Sequence, residues 1–414
     1  MPGKKSTHKS GEWKDISSQV GFFYSPVERN STPRRVVRSS SHRQHHSNCK
    51  FAQSKYFLPL LLIYSFRLIL NNLCDESKYV DAVGEEVEWE DVVSVEWTME
   101  KEDCCPLCLM PYTAPRVCSC GHCFCYACIK QYLTLQPDSW VKCPVCSVLF
   151  DEHSLRPVRI FSTTKEISVG DIVPMDLVIR PTQSVNAFSP ANPRLSYYLK
   201  HRIPNADLPE EDIQYCHLLY NTPYYELSLL QENLQELDRC EIEMNEVGEM
   251  YLFGSMHFIR DEINSRIEVL NICNHSMIQP TSLPYSESTI LSDVYYYYTL
   301  PWRLSYHLLP LTFQCIRSYY GSYEKCPLHI QSKVIEIEDI EVTTHSCSVD
   351  KSIQHSPLYS VIHYLELDIH SIIPDKIEKG LWEQIKKREM DRKIEKRQMR
   401  KEEKRIDVDC LLES

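Results

Sequence analysis

Ten of the 19 cysteines in this 414-residue chain fall between Cys104 and Cys146. That density requires either a disulfide framework or a metal site. Disulfide frameworks belong to small secreted domains. This chain has room for two or three folded units at about 150 residues each. It begins MPGKKSTHKS, polar and basic, without the apolar core of a signal peptide. A reducing compartment, with thiolates on metal, is the expected chemistry.

The spacing within the cluster carries the argument further. One register reads Cys105-x2-Cys108-x11-Cys120-x-His122-x2-Cys125-x2-Cys128-x14-Cys143-x2-Cys146. It holds four ligand pairs, made of seven cysteines and one histidine. Zinc prefers four N or S donors in a tetrahedron, so eight donors fill two closed structural sites. A C-x2-C pair suits this because a tight turn aims both sulfurs at one ion. Cys104, Cys118 and Cys123 are left over and read as ordinary thiols. Cys104 would break the paired spacing, and Cys118 used with Cys120 would leave one residue before His122. A remodelled loop could still bring any of the three in as a ligand.

Composition bounds the rest. With 43% hydrophobic and 25% charged residues, wholesale disorder is excluded. A formal net charge of −12 excludes a polycation built for nucleic acid as a whole. Residues 1–50 hold ten Ser and ten Lys or Arg against three acids, and read as a disordered basic tail. Residues 51–80 contain Tyr56 to Leu70, fifteen almost wholly apolar residues that read either as an insertion or as a buried or interfacial segment. A spanning helix needs about 20 residues, and Pro59 and Arg67 interrupt this run, so a membrane segment is not expected.

The expected architecture is multidomain α+β. An acidic flank, 81–103, packs Val87, Trp89, Val92 and Val95 against the finger of 104–150. A mixed helix and strand region follows over 160–370. Its helices fall at about 209–240 and 249–270, the first carrying a stripe of Leu227, Leu230, Leu234 and Leu237. Its strands fall at about 293–345 and 361–370. Residues 376–405, with thirteen Lys or Arg against seven acids, read as a basic helix able to contact RNA.

The cluster resembles the cross-brace RING finger of ubiquitin ligases, in the form whose ligands run three cysteines, one histidine and four cysteines. Cys120-Gly121-His122, Phe124 and Cys143-Pro144-Val145-Cys146 carry the likeness. It implies that Cys105, Cys108, Cys125 and Cys128 hold one zinc ion, and Cys120, His122, Cys143 and Cys146 the other. It also implies no catalytic nucleophile. A conjugating enzyme charged with ubiquitin would dock on Leu107, Tyr132 and Pro144, while Trp140 would cover the second ion. Many active rings place Arg or Lys after the last ligand; here Ser147 stands there.

The chain also resembles RING finger protein 10 and its relatives, cytoplasmic ubiquitin ligases that mark small-subunit ribosomal proteins. Asn48-Cys49-Lys50-Phe51, Trp89, Tyr126-Ala127-Cys128-Ile129, Ser139-Trp140 and Val169-Gly170-Asp171 carry this likeness. So do Tyr295 to Tyr298, His307-Leu308-Leu309-Pro310-Leu311, Tyr320-Gly321 and the basic tail. The resemblance implies a cytoplasmic protein, with a nuclear pool also open. Three departures stand out: the apolar segment Tyr56 to Leu70, Thr299-Leu300-Pro301-Trp302 in place of an Asp-Gly-Gln turn, and Asp350 to Ser360 in place of a basic segment before the last strand. A non-catalytic zinc adaptor or transcription cofactor is the rival reading, and Ser147 favours it.

Overall fold

The apolar run ending at Leu70 closes in a strand at the heart of a sheet. In a computed structural model of the chain, the described residues are 66–74, 79, 87–99, 103–136, 138–162, 166–182, 184–199, 203–247, 253–274, 294–354, 356, 360–373 and 378–412. The basic tail of 1–50 and residues 56–65 lie outside them. Among the described residues no helix is long and apolar enough to cross a membrane.

Strand β1 (Arg67–Leu70) lies between β2 (Val92–Met99), antiparallel, and β9 (Leu218–Tyr220), parallel. All four of its residues are buried. A short continuous apolar run is what a strand covered on both faces looks like. Residues 67–70 are therefore a buried segment of the sheet. The acidic flank is also more than a flank, because β2 is a central strand that pairs in parallel with β7 (Arg156–Ser162). Beyond β7 the sheet continues into the cysteine cluster through β3 (Pro115–Val117) and β4 (Cys123–Cys125). A separate hairpin joins β5 (Val141–Lys142) to β6 (Leu149–Phe150).

Five strands form a closed barrel: β8 (Ile172–Pro181), β10 (Val294–Leu300), β11 (Arg303–Leu308), β12 (His329–Glu341) and β13 (Val361–Leu367). Closure removes the free edges that an open sheet would expose. The expected strand region of 293–345 also contains a helix, Pro310–Tyr320. Proline is favoured at a helix's first position, where its missing N–H costs nothing, and Pro310 starts this one.

His307, in the His-Leu-Leu-Pro-Leu run, is buried in the barrel with its ring stacked on Tyr297 at 4.8 Å. Burial pushes its pKa down to about 4, against the partial opposition of Asp350 and with reinforcement from Arg180 and His363. A group depressed in this way is neutral in the folded protein and charged in the unfolded chain at mild acidity. Its stabilising contribution is complete above about pH 6.5 and drains away as pH falls toward 4, by up to about 3 kcal/mol. Urea unfolding between pH 7 and pH 4 should show this loss, and His307→Gln should flatten it. Equal pH slopes for the two proteins would refute the assignment.

The expected helix at 209–240 is two pieces with a strand between them. Glu210–Ile213 makes a single turn, β9 follows, and the long helix begins only at Pro223. The side chain of Asn186 accepts the backbone N–H groups of His217 and Leu218, at 2.8 and 2.9 Å, which holds that segment extended. Helices Pro223–Val247 and Phe253–Asn274 pair as a hairpin. The leucine stripe of the first faces the cysteine cluster, with Leu230 and Leu237 buried and Leu227 and Leu234 partly so.

The basic segment forms helix Lys379–Leu412. Ile385 is buried in the barrel cluster, with Leu381 and Trp382 packed against it. Arg388 and Arg392 turn toward the barrel acids: Glu366 accepts from Arg388 at 2.9 Å and pairs with Arg392 at 2.6 Å, while Glu338 and Glu336 take their remaining donors. Lys386, Lys387, Lys393 and Arg397 stay exposed on the other side. Only part of the positive charge is therefore open to an external partner.

Candidate metal centre

The eight donors come from two kinds of turn. Cys105–Met110 and Cys143–Val148 repeat one backbone design. The N–H of the first cysteine donates to the carbonyl five residues on: Cys105 to Met110 at 3.0 Å, Cys143 to Val148 at 2.8 Å. The fifth residue then donates back to that cysteine's carbonyl: Leu109 at 2.8 Å, Ser147 at 2.9 Å. Both fifth residues are left-handed, with φ of 60° at Leu109 and 63° at Ser147. A side chain there costs about 1–2 kcal/mol, which the coordination enforced by the turn can offset.

The remaining donors flank β4. Cys120, Gly121 and His122 form the turn into it, and Gly121 supplies a φ of 86°. Cys125 ends β4, and Cys128 lies one turn into the helix Tyr126–Thr134. The structure brings together Cys105, Cys108, Cys125 and Cys128 as one group, and Cys120, His122, Cys143 and Cys146 as another. Within each group the donor atoms all lie within 4.8 Å of one another. The two sets interleave along the chain, which is the cross-brace.

The geometry fits zinc. A Zn–S bond of about 2.3 Å in a tetrahedron sets neighbouring sulfurs about 3.8 Å apart. Cys108 Sγ and Cys125 Sγ are 3.9 Å apart, and Cys120 Sγ lies 3.5 Å from His122 Nδ1. Backbone N–H groups also aim at the sulfurs: Cys125 donates to Cys105 Sγ and Thr113 to Cys125 Sγ, both at 3.3 Å. Such bonds orient and stabilise thiolates. Hydrogen bonds from Cys108, Cys125 and Cys128 hold the Cys105 thiol far below its ordinary value, and those from Cys118, Cys120 and Cys146 do the same for Cys143. The same bonds push Cys125 and Cys120 far up. Four closely packed thiols cannot all ionise against one another, and a divalent cation is what would keep a full set of thiolates ionised.

The finger is anchored from behind. Arg116 of β3 is buried, with its guanidinium 4.0 Å from the Tyr126 ring centre and its Nη1 donating to Asn233 at 2.8 Å. Tyr126 donates to Glu262 at 2.6 Å, and Lys130 pairs with Glu262 at 3.1 Å and with Glu152. Glu236 accepts from the Ala114 N–H at 2.7 Å. The helical hairpin 223–274 therefore grips the back of the finger's helix.

Several apolar residues of the finger are exposed. Leu107 is 36% exposed, and Pro144 is also exposed. Tyr132 is half-buried, and its hydroxyl donates to the Lys142 carbonyl at 2.9 Å, tying the helix to the strand that leads into Cys143. Trp140 is 59% exposed. Leu109, Met110 and Leu135 are further exposed apolar residues of the finger that the sequence reading did not single out. For Leu109 and Met110 the signal was available: large apolar residues inside a metal-tied turn have no core to enter. Cys118 and Cys123 are both fully or nearly fully buried, and Cys104 is half-buried.

A family model for the RING-type zinc-finger matches residues 105–144. An uncharacterized RING finger protein of Schizosaccharomyces pombe is 23% identical over 96% of this chain and 65% of its own length. The E3 ubiquitin-protein ligase MAG2 of Saccharomyces cerevisiae is 24% identical over 72% of this chain and 50% of its own. The human E3 ubiquitin-protein ligase TRIM22 is 38% identical over 86 residues, 19% of this chain and 17% of its own. The chain thus spans 65% and half the length of these two fungal relatives. No solved structure matches it.

Proposed function

We propose that this chain is a RING-type ubiquitin ligase, which holds a ubiquitin-charged conjugating enzyme beside a substrate lysine. The observation that carries this reading is a pair of four-donor groups interleaved along the chain, with Leu107 and Pro144 exposed on the turns that carry them. Closed zinc sites have no position for an activated water, so zinc here supplies rigidity and not chemistry. Leu107 and Pro144, each on a turn fixed by backbone hydrogen bonds, and Tyr132, held by its bond to the Lys142 carbonyl, form the docking surface. A docked enzyme gains rate by proximity and orientation of its thioester, without a covalent intermediate on this chain. The printed names of MAG2 and TRIM22 support the same activity.

Leu107→Ala is expected to slow ubiquitin discharge by about thirtyfold, the loss of an interface anchor worth about 2 kcal/mol. Bound zinc should stay at two ions per chain, because the residue is not a ligand. Single-turnover discharge with parallel elemental analysis measures both. Unchanged discharge removes the docking assignment.

By its resemblance to RING finger protein 10, the proposed substrates are lysines of small ribosomal subunit proteins, in the cytoplasm with a nuclear pool also open. The exposed residues Lys386, Lys387, Lys393 and Arg397 are the groups able to meet ribosomal RNA. Ubiquitin remnants on ribosomes isolated with the intact protein, compared with a zinc-ligand variant, test the substrate class. A second reading, a non-catalytic zinc adaptor, is favoured by Ser147 alone.

A further inference from the structure

Glu262, on the second helix of the hairpin, holds two residues of the finger's helix Tyr126–Thr134 at once. Its Oε1 accepts from the Tyr126 hydroxyl at 2.6 Å, and its Oε2 lies 3.1 Å from Lys130 Nζ. Tyr126 and Lys130 stand four positions apart, so one carboxylate spans a full turn of that helix. The Lys130 side chain is 9% exposed, and a charge so nearly buried needs a counter-charge. Ile129, on the same side, is fully buried and packs in one cluster with Met256, Ile259 and Ile263 of the hairpin. A helix of nine residues cannot hold an orientation by its own hydrogen bonds, so these contacts fix its rotation about its axis. Tyr132 follows Lys130 by two residues, about 200° further around the helix, on the side away from the clamp. The clamp comes from a connection of the barrel: β8 ends at Pro181, β10 begins at Val294, and the hairpin lies between them in the chain.

We propose that Glu262 is a positioning residue of the ligase reaction, which sets the rotation of the finger's helix and thereby the place of Tyr132 on the surface that receives the conjugating enzyme. The inference rests on the ligase reading and deepens it. The donor group ties the start of the helix through Cys125 and Cys128. The Tyr132 hydroxyl ties its end to the Lys142 carbonyl. Glu262 controls the turn between. Without its charge Lys130 keeps Glu152, inside the finger, while the helix loses its hold on the hairpin. The zinc sites persist, because Glu262 belongs to neither donor group. Tyr132 is then still present but misplaced for its partner. Docking on the finger is thereby coupled to the part of the chain inserted between β8 and β10.

The test uses the full chain as Glu262→Gln, Tyr132→Ala and the double variant, with a ubiquitin-charged conjugating enzyme that the wild-type protein accelerates. Glu262→Gln should bind two zinc ions and raise the KM for the charged enzyme about tenfold with kcat unchanged, the mark of lost docking geometry. The double variant should discharge no more slowly than Tyr132→Ala, because the two residues act through one contact. Tyr126→Phe removes the other hold of the same carboxylate and should show the same rise in KM; it decides the matter should Glu262→Gln fail to fold. An unchanged KM, fewer than two ions, or losses that multiply in the double variant overturn the proposal and leave Glu262 a structural residue. A zinc-loaded wild-type chain that accelerates no conjugating enzyme overturns the ligase reading and this inference with it, so the two failures are told apart.

Discussion

Cys125→Ser protein is expected to bind fewer than two zinc ions per chain and to lose amide protection well beyond the finger's own loops. A structural zinc site contributes about 10–16 kcal/mol of apparent binding energy, as much as the whole stability of an ordinary domain. Cys125 ends β4, and β4 is bonded to β3, which is bonded to β7 of the six-stranded sheet. The adjoining helix Tyr126–Thr134 presents Tyr126 and Lys130 to Glu262. Protection should therefore fall across 104–155 and on the facing sides of helices 223–247 and 253–274. The barrel, whose strands share no sheet with β4, should keep its protection. Hydrogen exchange with elemental analysis reads both. A variant that keeps two ions and native protection would show the ligand register to be misassigned.

Arg67→Ala is expected to destabilise the protein by about 3–5 kcal/mol, the usual cost of leaving one partner of a buried ion pair alone. The side chains of Arg67 and Glu96 are 7% and 6% exposed, with Nη1 to Oε2 at 2.9 Å. Arg67 Nε donates to the Cys216 carbonyl at 2.8 Å, and its guanidinium lies 4.3 Å from the Trp302 ring centre. On its other oxygen Glu96 accepts from Tyr225 at 2.8 Å, and Arg159 stands 4.0 Å away. Those contacts soften the loss without replacing the paired charge. Chemical denaturation should show the full shift in Arg67→Ala and a partial recovery in the double variant with Glu96→Gln. A single-variant shift below about 1 kcal/mol would contradict the pairing.

These residues also show what the sequence could and could not convey. The zinc ligands were legible because a tetrahedron imposes fixed spacings on a local stretch of chain. Arg67 was not legible, because a strand buried on both faces has the same apolar signature as an insertion or a membrane segment. Its partners Glu96, Cys216 and Trp302 lie 29, 149 and 235 positions on, as the residue numbers give. Trp302 sits in the turn that departs from the RING finger protein 10 pattern, with a left-handed φ of 64°. Two of the departures meet: the cation comes from one and the aromatic face from the other. The split of the expected helix at 209–240 was half legible. Pro223 signalled a fresh start, but the strand before it is fixed by the distant Asn186. The acids of Val334 to Ile340 alternate as a strand should, and Arg388 and Arg392, spaced one helical turn apart, are their match. Only the fold puts the two patterns opposite each other.

Discharge of ubiquitin to free lysine from a panel of charged conjugating enzymes tests the central claim most directly. The intact protein, carrying two zinc ions, should accelerate discharge from at least one enzyme of the panel, and chelation should abolish the effect. A fully metallated protein that accelerates none of them would contradict the ligase reading and leave the finger as a scaffold.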